Sequence, residues 1–188
     1  MKPQALEKGD TIGVVSPSWC GPALFPHRVE RGRAFLESLG YRVVLAEHAV
    51  GRRGWVSGTP EERAADIHRM FADPDVKAIV AAIGGDHSCQ VLPHLDFGLI
   101  AANPKVFVGF SDVTVLNLAI HAHTGPIGEI APASVWTDER LDWGTKADLT
   151  RARTLKTSPG WAWLRPGRGE GPLVGGCLES MEQSTRAA

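Results

Sequence analysis

The stretch that decides the fold is "AIVAAIGGDHSCQVLPHLD", which runs from Ala78 to Asp96. It begins as a continuous apolar run, which is typical of a strand buried on both faces of a parallel sheet. The run stops at Gly84 and Gly85, and a segment with helical apolar spacing follows Ser88. The stretch therefore predicts a sharp strand-to-helix corner that carries one serine.

Strands and helices alternate on both sides of this corner. Apolar runs predict further strands at Thr11–Val15, in "YRVVLAEHA" and in "NPKVFVGFS". Helices are predicted from about His27 to Gly40, in "PEERAADIHRMF" and in "SDVTVLNLAIHAHTG". Because strands alternate with helices across short loops, the sequence favours an α/β fold with a doubly wound, mostly parallel sheet.

Local signals mark the ends of two of these helices. Thr59 is predicted to be an N-cap, with Pro60 at the first helical position and Glu62 completing a capping box. At the end of the preceding helix, Gly40 suits the position just past the C-terminus, where a left-handed backbone is required.

The composition excludes several classes of protein. The 188 residues carry 20 Lys and Arg against 21 Asp and Glu, without a basic stripe that would bind nucleic acid. No apolar run approaches the roughly 18 residues of a membrane helix, and the first residues lack the apolar segment of a secretory signal. The three cysteines are odd in number and far apart, which predicts a reducing, cytoplasmic location rather than a disulfide framework.

No sequence pattern indicates a metal or a cofactor. His, Cys, Asp and Glu never occur at metal-ligand spacing, and neither a G-x-G-x-x-G loop nor a P-loop is present. We therefore predict no metal and no cofactor. Binding of FMN or NAD by a flavodoxin-like sheet remains a disfavoured alternative.

Two interpretations of the serine corner stay open on local sequence alone. A tight turn after a strand can present a nucleophilic hydroxyl at the carboxyl edge of a sheet, as in a nucleophile elbow. Ser88 would then attack, and the N–H groups of Cys89 and Gly85 would stabilise a developing oxyanion. In the second interpretation Ser88 only caps the following helix.

The combination of motifs resembles the LD-carboxypeptidase family of serine peptidases. The matching segments are "GDTIGVVSPS", "SGTPEERAADI", the strand ending in "IGGDHS", "NPKVFVGFSDVTVL" and "GPLVGGCLESM". The "IGGDHS" form is closer to the microcin C immunity-type branch than to the murein-recycling branch. The resemblance implies cleavage of an amide bond beside a free carboxylate, in a murein peptide or a peptidyl-nucleotide.

The resemblance also implies roles for individual residues. In this family a serine, a glutamate and a histidine form a triad across two domains, and Ser88 matches the nucleophile. Gly58 is implied as a second oxyanion donor, and Asp86 as part of the substrate cleft. Ser111 and Asp112 follow the fourth strand at the same sheet edge, where they either shape the cleft or cap the next helix.

The family pattern suggests two domains of unequal extent. Residues 1–165 are expected to form the α/β domain, and residues 166–188 a linker and the start of a C-terminal domain. Since the sequence stops at Ala188, we expect the family's Glu and His to be missing and this chain to be inactive. The alternative is a non-catalytic fragment or binding remnant.

Several other residues are weaker candidates. His87 adjoins Ser88, but neighbouring side chains in a tight turn usually diverge, so it is disfavoured as the base. His121 and His123 suit a helix C-terminus, and Glu129 is expected to line the cleft. Trp19, Trp55 and Trp136 either stack on substrate or pack internally.

We also expect a homo-oligomer, with a dimer as the simplest form, or else a poorly soluble monomer. The apolar segments "PLVGG" and "IGEIAPASVW" would lie exposed without a second domain, and exposed apolar surface favours self-association.

Overall fold

The computed structural model describes residues 3–124, 128–129 and 177. The strands are β1 (Thr11–Val15), β2 (Arg42–Leu45), β3 (Val76–Ala81), β4 (Val106–Val108) and β5 (Gly128–Glu129). The helices are α1 (Gly21–Leu24), α2 (Pro26–Ser38), α3 (Pro60–Ala72), α4 (Phe97–Ala102) and α5 (Thr114–Thr124). Two 3₁₀ helices, Ser88–His94 and Ser111–Val113, follow β3 and β4.

The five strands form one sheet in the order β2-β1-β3-β4-β5, and every neighbouring pair is parallel. The predicted doubly wound parallel sheet is confirmed. The strand order reverses direction between β1 and β3. Ligands of open α/β sheets bind outside the carboxyl ends of the strands at such a switch point, and the predicted serine corner follows β3 at that place.

Apolar side chains bury both faces of the sheet. On one face, Ile79 of β3 and Phe107 of β4 pack with Ile67 and Phe71 of α3, and all four side chains are fully buried. On the other face, Val80 of β3 belongs to a second cluster that includes residues of α2. Because β3 is covered on both faces, its sequence is apolar without alternation.

The predicted helix ends are confirmed in detail. The Thr59 side chain accepts from the Glu62 N–H at 3.2 Å, and the Thr59 N–H donates to Glu62 Oε2 at 2.7 Å. Gly40 has φ +96° just past α2, its N–H donates to the Glu37 carbonyl at 2.9 Å, and the Tyr41 N–H donates to that of Leu36 at 3.2 Å. These two bonds form the Schellman arrangement that favours glycine.

The segment after the corner differs from the prediction. It contains a 3₁₀ helix with Pro93 inside it, followed by the separate helix α4, which starts with the Asp96 side chain accepting from the Leu99 N–H at 2.9 Å. Proline removes a backbone donor and clashes with the preceding turn, so one continuous α-helix cannot form here.

Several predictions fall outside the described residues. They are the domain boundary at residue 165, the side chain of Glu129, Trp136, and the segments "PLVGG" and "IGEIAPASVW". Within the part of the chain that the structure describes, no helix is long and apolar enough to cross a membrane.

Candidate active site

Hydrogen bonds connect the loops after β1, β2 and β3. The Ser57 hydroxyl donates to the Ser16 carbonyl at 2.6 Å, and the Ser57 N–H donates to the Ser18 carbonyl at 3.3 Å. The Trp19 N–H donates to the Gly84 carbonyl at 3.2 Å. The loop after β1 therefore lies between the other two and holds them at one edge of the sheet.

Gly85 allows the β1 loop to touch the corner. Its φ is +149°, a backbone conformation that side chains rarely permit, and a Cβ placed there would lie 2.4 Å from Ser18 Oγ and 3.0 Å from Trp19 N. Glycine is required for both reasons. The close approach lets the Ser18 hydroxyl accept from the N–H of His87 at 3.0 Å.

Ser88 is the first residue of the 3₁₀ helix and is fully buried. The interpretation of Ser88 as a helix cap is wrong, since His87 occupies the N-cap position and makes no side-chain cap bond. The hydroxyl follows β3 at the carboxyl edge of the sheet, but it is not exposed there. Instead, Oγ has no hydrogen-bond partner among the residues described, although an unpaired buried polar atom is costly.

The N–H of Cys89 is available next to this hydroxyl. Cys89 is exposed, and its N–H meets no acceptor among the described residues because it lies in the first turn of its helix. Gly58 is buried in the β2–α3 loop, where its carbonyl accepts from Arg63 Nε at 3.1 Å. The oxyanion roles of Cys89, Gly85 and Gly58 stay predictions.

Asp112 lies beneath the corner and holds its backbone. The side chain is 4% exposed, and Oδ2 accepts from the N–H of His87 at 3.0 Å and from the N–H of Ser88 at 2.8 Å. Phe110 is the N-cap of the 3₁₀ helix Ser111–Val113 and makes no side-chain cap bond, so neither Ser111 nor Asp112 caps that helix. With its carboxylate committed to these two N–H groups, Asp112 shapes the corner from below.

Ser111 adopts an uncommon backbone conformation just before Asp112. Its φ is +59°, in the left-handed region that non-glycine residues seldom occupy. A Cβ on Gly84 would lie 3.0 Å from the Cβ of Ser111, so the two turns pack against each other closely. Such strain concentrates at functional sites.

Arg63 joins the loops from the inside. Arg63 is 1% exposed, and its guanidinium donates to the carbonyls of Pro17 at 2.6 Å and of His87 at 3.0 Å, and to Gln90 Oε1 at 2.7 Å. Burial lowers the pKa of Arg63, while the nearby negative charge of Asp112 acts in the opposite direction. The group stays charged, since arginine does not deprotonate in proteins.

None of the described histidines forms a hydrogen bond to Ser88. His87 Nδ1 and Ser88 Oγ are both buried without partners, so they do not bond to each other. His48 Nδ1 lies 3.1 Å from Asp66 Oδ1, and His123 stacks on Phe97 with ring centroids 4.1 Å apart. Across the described ranges, no group of three or more His, Cys, Asp and Glu could hold a metal ion.

The remaining candidates lie around the corner with different exposures. Asp86 is exposed at the corner. Trp19 is half-buried and its ring tilts against Phe25, with centroids 6.0 Å apart. Trp55 is 72% exposed in the β2–α3 loop. Packing thus accounts for Trp19, whereas Trp55 remains available to a ligand.

Sequence reasoning missed Arg63 and Ser18. "TPEER" places Arg63 in the first turn of α3, where a charged residue usually faces solvent. The signal that existed was the small, polar "SPS" segment after β1, which suits a loop that another backbone approaches closely.

Comparison with known proteins gives a consistent result. The family described as "LD-carboxypeptidase N-terminal domain" matches residues 12–131. The chain is 39% identical over 192 residues to a probable murein peptide carboxypeptidase of Bacillus subtilis, a match that covers 96% of this chain and 58% of that protein. The chain therefore spans less than two thirds of the length of this curated relative.

Solved structures give the same result. The microcin C7 self-immunity protein MccF in its wild-type apo state matches with a TM-score of 0.70 and 36% identity, over 73% of this chain and 42% of that chain. The complex of MccF with aspartyl sulfamoyl adenosine matches with a TM-score of 0.68 and 38% identity, over 71% and 40%.

Proposed function

The chain belongs to the LD-carboxypeptidase family, and we propose that it carries the nucleophile of a serine carboxypeptidase-type hydrolase. The observation that carries this proposal is the Ser88 hydroxyl. It is buried at the switch point of the sheet and has no hydrogen-bond partner among the described residues, where the N–H of the adjacent Cys89 also meets no acceptor. A buried hydroxyl left without a hydrogen bond calls for an explanation, and nucleophilic catalysis supplies one.

The reaction follows from this placement. Ser88 Oγ attacks the carbonyl carbon of an amide, and the N–H of Cys89, with that of Gly85 or Gly58, stabilises the oxyanion. A base takes the hydroxyl proton and passes it to the leaving amine, and water then hydrolyses the acyl-enzyme. No described histidine forms a hydrogen bond to Ser88 Oγ, so we propose that the base and its carboxylate come from another part of the protein.

The proposed substrate is a small peptide or peptidyl-nucleotide whose scissile amide lies next to a free carboxylate. The name of the Bacillus subtilis relative supports a murein peptide. The aspartyl sulfamoyl adenosine bound to MccF supports an aminoacyl-nucleotide amide. Asp86, Ser111 and the exposed ring of Trp55 are the residues that we assign to the rim of the cleft.

A serine-directed fluorophosphonate probe tests the role of Ser88. In a full-length form of the protein that supplies the base and its carboxylate, we expect the probe to label Ser88, and labelling to disappear in Ser88→Ala. Ser38→Ala is the matched control, because Ser38 is an exposed serine at the end of α2. Equal labelling of the parent and of Ser88→Ala would overturn the proposal and favour a non-catalytic binding remnant.

The predicted domain division and location remain proposals. We propose that residues 1–165 form the α/β domain and that residues 166–188 begin a second one, which limited proteolysis with mass spectrometry would test. We also propose a cytoplasmic location, which is supported by the thiols of Cys20 and Cys89.

A further inference from the structure

One peptide group of the corner is held by two opposite charges. The peptide between His87 and Ser88 has a carbonyl oxygen at one end and an N–H at the other. The oxygen accepts from Arg63 Nη1 at 3.0 Å, and the N–H donates to Asp112 Oδ2 at 2.8 Å. We propose that Arg63 and Asp112, together called the peptide clamp, are positioning residues that fix the orientation of Ser88.

The charges make a single orientation of the peptide group strongly favourable. Hydrogen bonds to ionised groups are shorter and stronger than neutral ones. Arg63 is 1% and Asp112 is 4% exposed, and a buried environment strengthens electrostatic interactions further. Turned over, the peptide would direct its oxygen at the carboxylate and its N–H at the guanidinium. Both contacts would then be repulsive.

Both residues also hold the groups on either side of this peptide. The N–H of His87 donates to the same oxygen of Asp112 at 3.0 Å. The guanidinium of Arg63 continues to Gln90 Oε1 at 2.7 Å. The clamp therefore extends across the turn, and the direction of the Ser88 Cα–Cβ bond and of the Cys89 N–H follows from it.

The clamp acts without touching the reacting atom. Ser88 Oγ has no hydrogen-bond partner among the described residues, so neither Arg63 nor Asp112 serves as its base. Their proposed role rests on the proposed function of Ser88 and concerns geometry alone. If Arg63 and Asp112 had a purely structural role, substituting them would lower the stability of the whole domain evenly. If they position Ser88, the substitution also loosens the corner by more than the loss of global stability explains.

Lys105 provides a matched control for this distinction. It is another buried cation, 8% exposed, and donates to the carbonyls of Met70 at 2.8 Å and of Asp73. It stands just before β4, at the opposite edge of the sheet from Ser88. Lys105→Met therefore removes a buried cation without changing any group at the corner.

Amide hydrogen exchange of the ¹⁵N-labelled 188-residue chain tests the clamp without requiring activity. In Asp112→Ala we expect the protection of the Ser88 amide to fall about tenfold more than that of the amides of β3. Arg63→Lys should loosen the Ser88 amide in the same direction, because one ammonium group cannot reach all the acceptors of a guanidinium. Lys105→Met should lower the protection of all amides by a similar factor.

If Asp112→Ala does not fold, Asp112→Asn replaces it, since an amide keeps the shape but loses the charge. If the protection of the Ser88 amide falls only as much as that of the β3 amides in both the Arg63 and the Asp112 variants, the clamp proposal is overturned.

Probe labelling separates the clamp from the proposed function. In the full-length form that supplies the base, and at equal folded fraction, we expect the labelling rate of Ser88 to fall about tenfold in Asp112→Asn and in Arg63→Lys, and to stay unchanged in Lys105→Met. Labelling of Ser88 at the parent rate in both clamp variants would overturn the positioning role while leaving the nucleophile in place. Labelling that persists in Ser88→Ala would show that Ser88 is not the nucleophile. The amide hydrogen exchange experiment would still decide whether the clamp exists.

Discussion

The two ends of α3 each meet a buried cation, but the two cations have different roles. Within the described part of the chain, Lys105 donates only to the carbonyls of Met70 and Asp73, which lie at the C-terminal end of that helix. There it satisfies unpaired carbonyls and interacts favourably with the helix dipole. Arg63, in the first turn, donates to groups from the loops after β1, β2 and β3.

The difference shows how a buried charge contributes to a site. Burial lowers the pKa of both Arg63 and Lys105, so each carries a desolvation penalty. Lys105 stabilises one contiguous element, whereas Arg63 fixes the positions of three loops relative to one another. Only the guanidinium, with several donors in a planar fork, can do the second.

The largest expected effect is that of Arg63→Met. The substitution removes the guanidinium donor of the Pro17 carbonyl, leaves the His87 carbonyl only its bond from the Gln90 N–H, and buries the charge of Asp112 without its counterpart. We expect the free energy of unfolding to fall by about 3–5 kcal/mol. Urea denaturation followed by circular dichroism measures it, and a loss below about 1 kcal/mol would show that the loops do not depend on Arg63.

Gly85→Ala should have the next largest effect. It tests the packing of the loops at the carboxyl edge without changing a charge. The new Cβ would lie 2.4 Å from Ser18 Oγ, at a φ of +149°. We expect a loss of about 2–3 kcal/mol from strain and displacement of the β1 loop. Gly54→Ala is the matched control, since Gly54 has φ +64° but a Cβ there would meet no atom within 4 Å. An equal loss in both variants would mean that the close approach of Ser18 is unimportant.

Lys105→Met should have a smaller effect than either change at the carboxyl edge. Two carbonyls lose a donor at one helix end, where water can reach them after a small rearrangement. We expect a loss of about 1–2 kcal/mol in the free energy of unfolding, measured in the same urea titration. If this loss equals that of Arg63→Met, the two cations do not differ in their contribution to stability as we propose.

The smallest expected effect is a pH dependence that arises away from both cations. His68 Nε2 accepts from the N–H of Asp96 at 2.8 Å, and burial lowers the pKa of His68 while Asp96 opposes the shift. The neutral ring is therefore favoured in the folded state. Its stabilisation is present in full above the unfolded pKa of about 6.5 and is lost as the pH falls through the lower folded pKa.

His68→Gln checks this sign, because glutamine keeps an acceptor that does not titrate near neutral pH. We expect the Tm of the parent, relative to that of His68→Gln, to fall as the pH is lowered from about 7.5 to about 5. A constant difference across that range would exclude His68 as the titrating group.

The features that the sequence predicted correctly depend on neighbouring residues. The capping box of Thr59 and Glu62 and the left-handed Gly40 follow from rules that operate within one turn of a helix. The apolar run before Ser88 likewise identified a buried strand and the corner at its end. Such signals lie within a few positions of the structure that they determine.

The features that the sequence did not reveal depend on distant contacts. Asp112 was expected in the cleft or at a helix cap, but its partner Ser88 is 24 positions away. Arg63 bonds to Pro17 across 46 positions. Residue type alone predicts exposure for both charges. Only the packing of four loops at one edge explains why they are buried.

The long span of these bonds sets a time order for the site during protein synthesis. The corner takes its contacts from Pro17, Arg63 and Asp112, and closing such long loops costs entropy before the contacts can compensate. A nascent chain that ends before Asp112 can already pair β1 with β3, yet the N–H of Ser88 has no carboxylate to bind. We therefore expect the serine to acquire its orientation late, after the strands around it have formed.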